Sequence, residues 1–199
     1  MIPYYENNAQ EFIDRTISID MVDLYKTFLE AMPAIDGTAH ILDAACGSGR
    51  DTSYFLSQGY KITAFDSSPA LVRHAADLTG HTILEMSFMD MIWVEEFDGI
   101  WCSASLLHCR KHAIEDIMVK FIKALKPDGV WYMSFKEGDG EVFELVSNRV
   151  FNNYTVESLT ELLARFQAIE IINIWPEISI DQRRDEITWV NALVRKRSA

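Results

Sequence analysis

The segment Asp43-Ala44-Ala45-Cys46-Gly47-Ser48-Gly49-Arg50 is the first place where the sequence offers chemistry. An acid is followed by a turn of small residues and two glycines. Glycine tolerates positive φ and lets backbone approach a ligand closely. A helix starting at Arg50 would aim its N-terminus at the same place, which favours a carboxylate or a phosphate there. A dinucleotide site requires G-x-G-x-x-G, and counted from Gly47 the third glycine falls on Thr52. The phosphate-binding Gly-Lys-Ser/Thr is also missing. A nicotinamide-dependent reductase is therefore disfavoured. Asp66 lies further on, where an acid at the end of a second strand suits the hydroxyls of a ribose. It could equally serve as a plain helix cap.

These residues need elements to hold them. Between Asp20 and Met32 the apolar residues fall on one helical stripe, with Asp20 placed to cap it. Ile41-Leu42 reads as a buried strand, 50–58 as a helix stopped by Gly59, and 61–65 as a second strand ending at Asp66. Pro69 and Gly80 bracket the next helix. A weaker strand follows at 82–86, then a strand at 99–102, a helix at 113–125 and a strand at 130–135, entered by the turn Pro127-Asp128-Gly129. Residues 137–154 read as an irregular acidic stretch, and Thr155 as the cap of another helix. Strands at 169–175 and 188–195 close the series. Alternation of this kind predicts an α/β fold, doubly wound around a mainly parallel sheet, and the loop without an obvious helix between the last two strands predicts that one of them runs antiparallel. The expected organisation is one domain over 1–199, with a helical segment over 1–38 and the sheet core over 39–199.

Bulk properties narrow the function. The chain has 199 residues and a net charge of −12. No basic cluster could overcome that field, so nucleic acid is not expected as a partner. The run Arg195-Lys196-Arg197 is expected to fray in solvent. Cys46, Cys102 and Cys109 are odd in number and lack C-x-x-C spacing, which argues against a disulfide framework or a structural zinc site, and no metal is expected. The start of the chain shows no secretory signal and no apolar run reaches the roughly 20 residues that span a bilayer, so a cytoplasmic location without membrane association is expected.

Ile41-Leu42-Asp43-Ala44-Ala45-Cys46-Gly47-Ser48-Gly49 resembles the first motif of the class I S-adenosylmethionine-dependent methyltransferases. The common form has glycine where this chain has Ala45. Further pieces match in order: Ala64-Phe65-Asp66-Ser67-Ser68-Pro69, Phe88-Met89-Asp90-Met91, Phe97-Asp98-Gly99-Ile100-Trp101, Leu106-Leu107-His108 and Leu125-Lys126-Pro127-Asp128-Gly129-Val130. Phe135-Lys136-Glu137-Gly138, with Tyr4-Tyr5 and Arg15-Thr16, resembles small bacterial methyltransferases grouped with tellurite-resistance proteins.

The resemblance implies a seven-stranded sheet with an antiparallel last strand, S-adenosyl-L-methionine as cofactor and a small-molecule methyl acceptor. It implies Asp43, Ala45, Gly47 and Gly49 around the methionine part, Asp66 with Ser67 and Ser68 at the ribose, Met89 and Asp90 at the adenine, and Ser103 and Ala104 under the sulfonium. Methyl transfer mainly demands that nucleophile and methyl be held in line and close. If the acceptor carries a proton, His108 is the first candidate base; it could instead pack or bind backbone. Tyr4 and Tyr5 are candidate aromatic walls. Arg15, Arg149 and Arg183 could fork onto an anionic acceptor or simply pair with neighbouring acids. The N-terminal segment and residues 137–154 are expected to form a lid. A non-catalytic cofactor binder and a metalloid or thiol methyltransferase are the competing readings.

Overall fold

The computed structural model describes residues 3–34, 37–180 and 186–198. Seven strands form one sheet: β1 (His40–Ala44), β2 (Lys61–Asp66), β3 (Ile83–Glu85), β4 (Phe97–Cys102), β5 (Leu125–Lys136), β8 (Ile169–Ile180) and β9 (Glu186–Lys196). Their order across the sheet is β3-β2-β1-β4-β5-β9-β8. All pairings from β3 to β5 are parallel, and β9 is antiparallel to both of its neighbours. The sheet therefore has one reversed strand, the last in the chain.

Helices α4 (Arg50–Ser57), α5 (Pro69–Thr79) and α6 (Ile114–Ala124) connect the parallel strands, and α7 (Val156–Leu163) precedes β8. Their ends follow local chemistry. Ser68 Oγ accepts the Leu71 N–H, Pro69 fills the first turn, and Gly80 closes α5 at φ 64°. Thr155 and Ser158 form a reciprocal cap on α7. Asp20 accepts the Val22 N–H at 2.9 Å and so starts α3 (Val22–Ala31), although Met21 lies between them.

Strand alternation sorts the core into two layers. Trp131, Met133 and Phe135 of β5 join Ile100 and Cys102 of β4 and the apolar stripe of α6 on one face. Val130 and Tyr132 join Trp101, Phe55 and the α3 residues Tyr25 and Phe28 on the other. Each such aromatic contributes about 1.5–3 kcal/mol when fully buried. A Cβ at Gly99 would stand 2.7 Å from Phe28 Cζ, so α3 can lie close to β4 only over glycine.

Three expectations need correction. Residues 137–154 are not irregular: β6 (Gly140–Glu144) and β7 (Arg149–Asn153) form an antiparallel hairpin turned at Asn148, φ 53°. Its alternation was hidden because Val142, Phe143, Leu145 and Val146 are all exposed. Arg195-Lys196-Arg197 does not fray. Arg195 Nη2 donates to Ala31 O, Lys196 Nζ to Leu125 O at 2.7 Å, and Arg197 N to Ala168 O at 2.8 Å. Pro127-Asp128-Gly129 does not precede β5 but bulges within it. Asp128 takes φ 62°, and pairing with β4 jumps from Phe97↔Leu125 to Gly99↔Val130.

The N-terminal helices α1 (Pro3–Asn7) and α2 (Ala9–Thr16) lie across the carboxyl ends of the strands. No helix among the described residues is long and apolar enough to cross a membrane.

Candidate active site

The strand order reverses between β1 and β4, and ligands of such sheets bind in the crevice at that point. The loop leaving β1 adopts left-handed backbone at every second residue: Ala45 at φ 61°, Gly47 at 55° and Gly49 at 79°. Its residues serve different ends. Gly47 faces α2, where a Cβ would come within 3.1 Å of the Phe12 ring. The side-chain position of Gly49 faces α5, 2.9 Å from Ala75 Cβ, so its missing side chain serves helix packing. Asp43 is buried and accepts from Thr52 Oγ1 at 2.5 Å. Burial, with Asp51 nearby, holds its carboxyl well above the usual range. Thr52 occupies the position of the missing third glycine and has this work to do.

Asp66 ends β2 with both oxygens engaged. Oδ2 accepts the Gly47 N–H at 3.0 Å and Oδ1 the Ser68 N–H at 2.9 Å. Burial raises its pKa against these hydrogen bonds. Beside it lies a cavity of about 150 Å³ lined by Ala45, Phe65, Ser67, Met86, Ser87, Phe88, His108 and Cys109. Met89 is 54% exposed, and the Asp90 carboxylate accepts from the backbone and hydroxyl of Ser87, closing a single 3-10 turn. Met86, Ser87 and Phe88 of the same segment line the cavity.

A second group closes over the crevice from α1 and the hairpin. His108 Nδ1 lies 3.0 Å from Val150 O. A carbonyl only accepts, so Nδ1 carries the hydrogen and Nε2 holds the free lone pair. The Tyr5 hydroxyl, 2.6 Å away, donates to Nε2 and accepts from Arg149 Nη1 at 3.2 Å. Burial pushes the His108 pKa down to about 4, assisted by the Arg149 and Lys136 charges. Burial also raises the Tyr5 phenol, opposed by Arg149. Glu6 Oε2 accepts from Ser68 Oγ at 3.0 Å and from Ala70 N at 2.9 Å, seating α1 on the first turn of α5.

The structure thus brings Tyr5, His108 and Arg149 together. Arg15 lies apart, within 3.9 Å of Glu11 on α2. Arg183 lies outside the described residues. Ser103 and Ala104 follow β4, with Ala104 at φ 49° and its N–H donating to Ser134 Oγ. Cys102 and Cys109 are buried free thiols, the latter pushed up to about 12 by burial. Glu6, Phe12, Met86, Ser87, Phe88 and Lys136 were not singled out from the sequence. Only Phe88 and Lys136 fall inside quoted motifs.

This is the Rossmann-like methyltransferase fold, and residues 41–129 match the family model of a methyltransferase domain. The matched stretch runs from β1 to the start of β5. Over its whole length the chain resembles 1,6-didemethyltoxoflavin-N1-methyltransferase of Burkholderia thailandensis, at TM-score 0.77 and 22% identity, covering 99% of this chain and 85% of that one. It also resembles an N-methyltransferase of Bradyrhizobium japonicum, at TM-score 0.70 and 12% identity, covering 98% and 100%. Among curated proteins, malonyl-[acyl-carrier protein] O-methyltransferase of Salmonella typhimurium is 23% identical over 158 residues, or 73% of this chain. The chain spans 62% of that relative's length.

Proposed function

We propose that the protein transfers a methyl group from S-adenosyl-L-methionine to a small-molecule acceptor. The observation that carries this reading is the Asp66 carboxylate, fixed by Gly47 N and Ser68 N beside a cavity walled by Phe65, Met86 and Phe88. An acid next to an apolar, aromatic slot with hydroxyls from Ser67 and Ser87 suits a ribose joined to a purine. Asp66 would hold the ribose hydroxyls, with Met86, Ser87 and Phe88 against the base. Asp43, Ala45, Gly47 and Gly49 would shape the loop beside the methionine part, and Ser103 and Ala104 the floor near the sulfur. When bound, the cofactor supplies a methyl on a positively charged sulfur. The protein's contribution is to orient the acceptor and exclude water, with α1, α2 and the hairpin as the cover. His108 would accept a hydrogen bond at Nε2.

Isothermal calorimetry with S-adenosylhomocysteine tests the assignment. Asp66→Ala is expected to weaken binding roughly ten- to hundredfold, the worth of about 1.5–3 kcal/mol for a charged hydrogen bond. Unchanged affinity would remove the ribose role. S-adenosylhomocysteine release with a fractionated metabolite extract then tests transfer itself. Tight binding with no release in any fraction would favour a non-catalytic cofactor binder.

A metalloid or thiol acceptor of the tellurite-resistance type is the second reading. The low pKa of His108 favours it, since a soft nucleophile needs little help from a base. A cytosolic setting belongs to the same picture, supported by three unpaired cysteines.

A further inference from the structure

Two cations, Arg149 and Lys136, meet beside the candidate site. Arg149 opens β7, and its side chain is 16% exposed. Its Nε donates to Ser147 Oγ at 2.9 Å, Nη1 to Tyr5 Oη at 3.2 Å and Nη2 to Glu144 Oε2 at 3.2 Å. Its Cζ lies 4.1 Å from the centroid of the Tyr4 ring and 4.8 Å from that of Phe151. Lys136, at the carboxyl end of β5, places Nζ 4.3 Å from the same Phe151 centroid. His108 adjoins this ring, centroid to centroid 5.1 Å, and also lines the cavity beside Asp66. Two cations therefore converge on one aromatic side chain next to the candidate site. The chain as a whole carries −12.

The charges that act on His108 are Arg149, Lys136 and Glu144. Both cations disfavour a charged imidazole, so the ring stays neutral and does not compete for an anion. Glu144 is the acid on the guanidinium, and it reaches there from the exposed end of β6 with 45% of its side chain in solvent. On the glutamate side the pair is open to water, which screens the attraction and leaves that carboxylate exchangeable. A ligand carboxylate on the same fork would gain two parallel charged hydrogen bonds in a site walled by three rings. Glu144 is placed to yield to it. The Tyr5 hydroxyl, between Arg149 and His108 Nε2, marks where the remainder of such a ligand would meet the histidine.

We propose that the methyl acceptor is a carboxylate-bearing small molecule whose anionic group docks on Arg149 in place of Glu144, with Lys136 nearby. The inference rests on the methyltransferase reading given above. It assigns Arg149 to acceptor selection and leaves cofactor binding to Asp66 and the β1 loop.

The test uses the full chain saturated with S-adenosylhomocysteine. Histidine ring resonances are followed by nitrogen-15 NMR while acetate, malonate and benzoate are added, each against its amide, and selenite as a separate probe. The expected result is a saturable shift of His108 with at least one carboxylate and none with its amide. Arg149→Gln should weaken that binding roughly ten- to hundredfold. Glu144→Gln should tighten it severalfold, a gain that a purely structural arginine would not give. If Arg149→Gln fails to fold its hairpin, the Glu144→Gln comparison decides. The proposal is overturned if acids and amides behave alike, if no carboxylate binds, if selenite binds where the carboxylates do not, or if Glu144→Gln leaves affinity unchanged. Loss of S-adenosylhomocysteine binding, read first by calorimetry, would instead sink the underlying methyltransferase reading.

Discussion

Ala45 carries a conformation that suits glycine better. At φ 61° its Cβ crowds the backbone, which costs an L-residue about 1–2 kcal/mol. Replacement by glycine relieves that strain but frees the unfolded chain by about 0.5–1 kcal/mol. Ala45→Gly is therefore expected to raise stability by about 0.5–1 kcal/mol, read as a higher urea midpoint at unchanged slope. A lower midpoint would mean that the methyl group packs usefully. The departure from the usual glycine was legible in the sequence, and so was the Asp43–Asp66 frame. The orientation of side chains was not. In the segment that holds Met89 and Asp90, the Ser87–Asp90 hydrogen bonds shape a turn from which Ser87 and Phe88 line the cavity.

His108 belongs to the same scale. Its ordinary pKa is near 6.5, and burial lowers it to about 4 in the folded protein. The folded state therefore binds fewer protons than the unfolded one between these values. The stability contributed by the neutral ring is fully present above pH 6.5 and is lost as pH falls toward 4. Turnover is expected to show no acid limb near 6.5, with any decline attributable to His108 lying closer to 4. A kcat profile that falls with an apparent pKa of 6–7 and flattens in His108→Gln would contradict this.

At the scale of elements, a buried ionic group joins the N-terminal helices to the sheet. Asp51, at the start of α4, accepts from Tyr25 Oη of α3 at 2.5 Å, from Arg50 Nε at 2.6 Å and from Trp101 Nε1 of β4 at 2.8 Å. Arg50 in turn donates to Thr16 O at the end of α2 at 3.1 Å. With Arg50 Nη2 also donating to Asp51 Oδ2 at 3.0 Å, all four carboxylate contacts come from donors, so the charge is matched and the Asp51 pKa stays low despite burial. Asp51→Ala would strand the Arg50 guanidinium, which is 17% exposed, and is expected to destabilise by about 3–5 kcal/mol in urea unfolding. Tyr25→Phe removes one charged hydrogen bond and should cost about 1.5–3 kcal/mol. Equal losses in the two variants would show that packing, not charge, holds α3. The elements themselves were legible where caps and breakers bracket an apolar stripe, as in Ser68-Pro69 to Gly80. The β6–β7 hairpin was not, because β6 is exposed from Glu141 to Glu144 and β7 buries only Phe151 and Asn152, too short a pattern to read, while Glu141 to Arg110, Arg149 to Tyr5 and His108 to Val150 hold it in place.

For the molecule as a whole, the proposed function requires the N-terminal helices to move against the crevice. The cavity beside Asp66 holds about 150 Å³, below the roughly 300–1,000 Å³ of ordinary ligand pockets. Phe12 lies over Gly47, Tyr5 on His108 and Glu6 on α5, so the space that a nucleoside-sized ligand still needs lies under α1 and α2. Their anchors are few and partly solvated, whereas β1 and β4 beneath are buried along their whole length, so opening should be local. Hydrogen exchange measured by mass spectrometry on the full chain should find α1 exchanging well before β1 and β4. Saturation with S-adenosylhomocysteine should slow exchange in α1 and α2 if they close over the ligand. Glu6→Gln weakens the hold on Ser68 and Ala70, and in that variant the slowing should shrink and the ligand should leave a few-fold faster in stopped-flow displacement. Slowing confined to the β1 loop and the 86–90 segment, with α1 indifferent to ligand and to Glu6→Gln, would mean that the N-terminal helices flank the site without covering it.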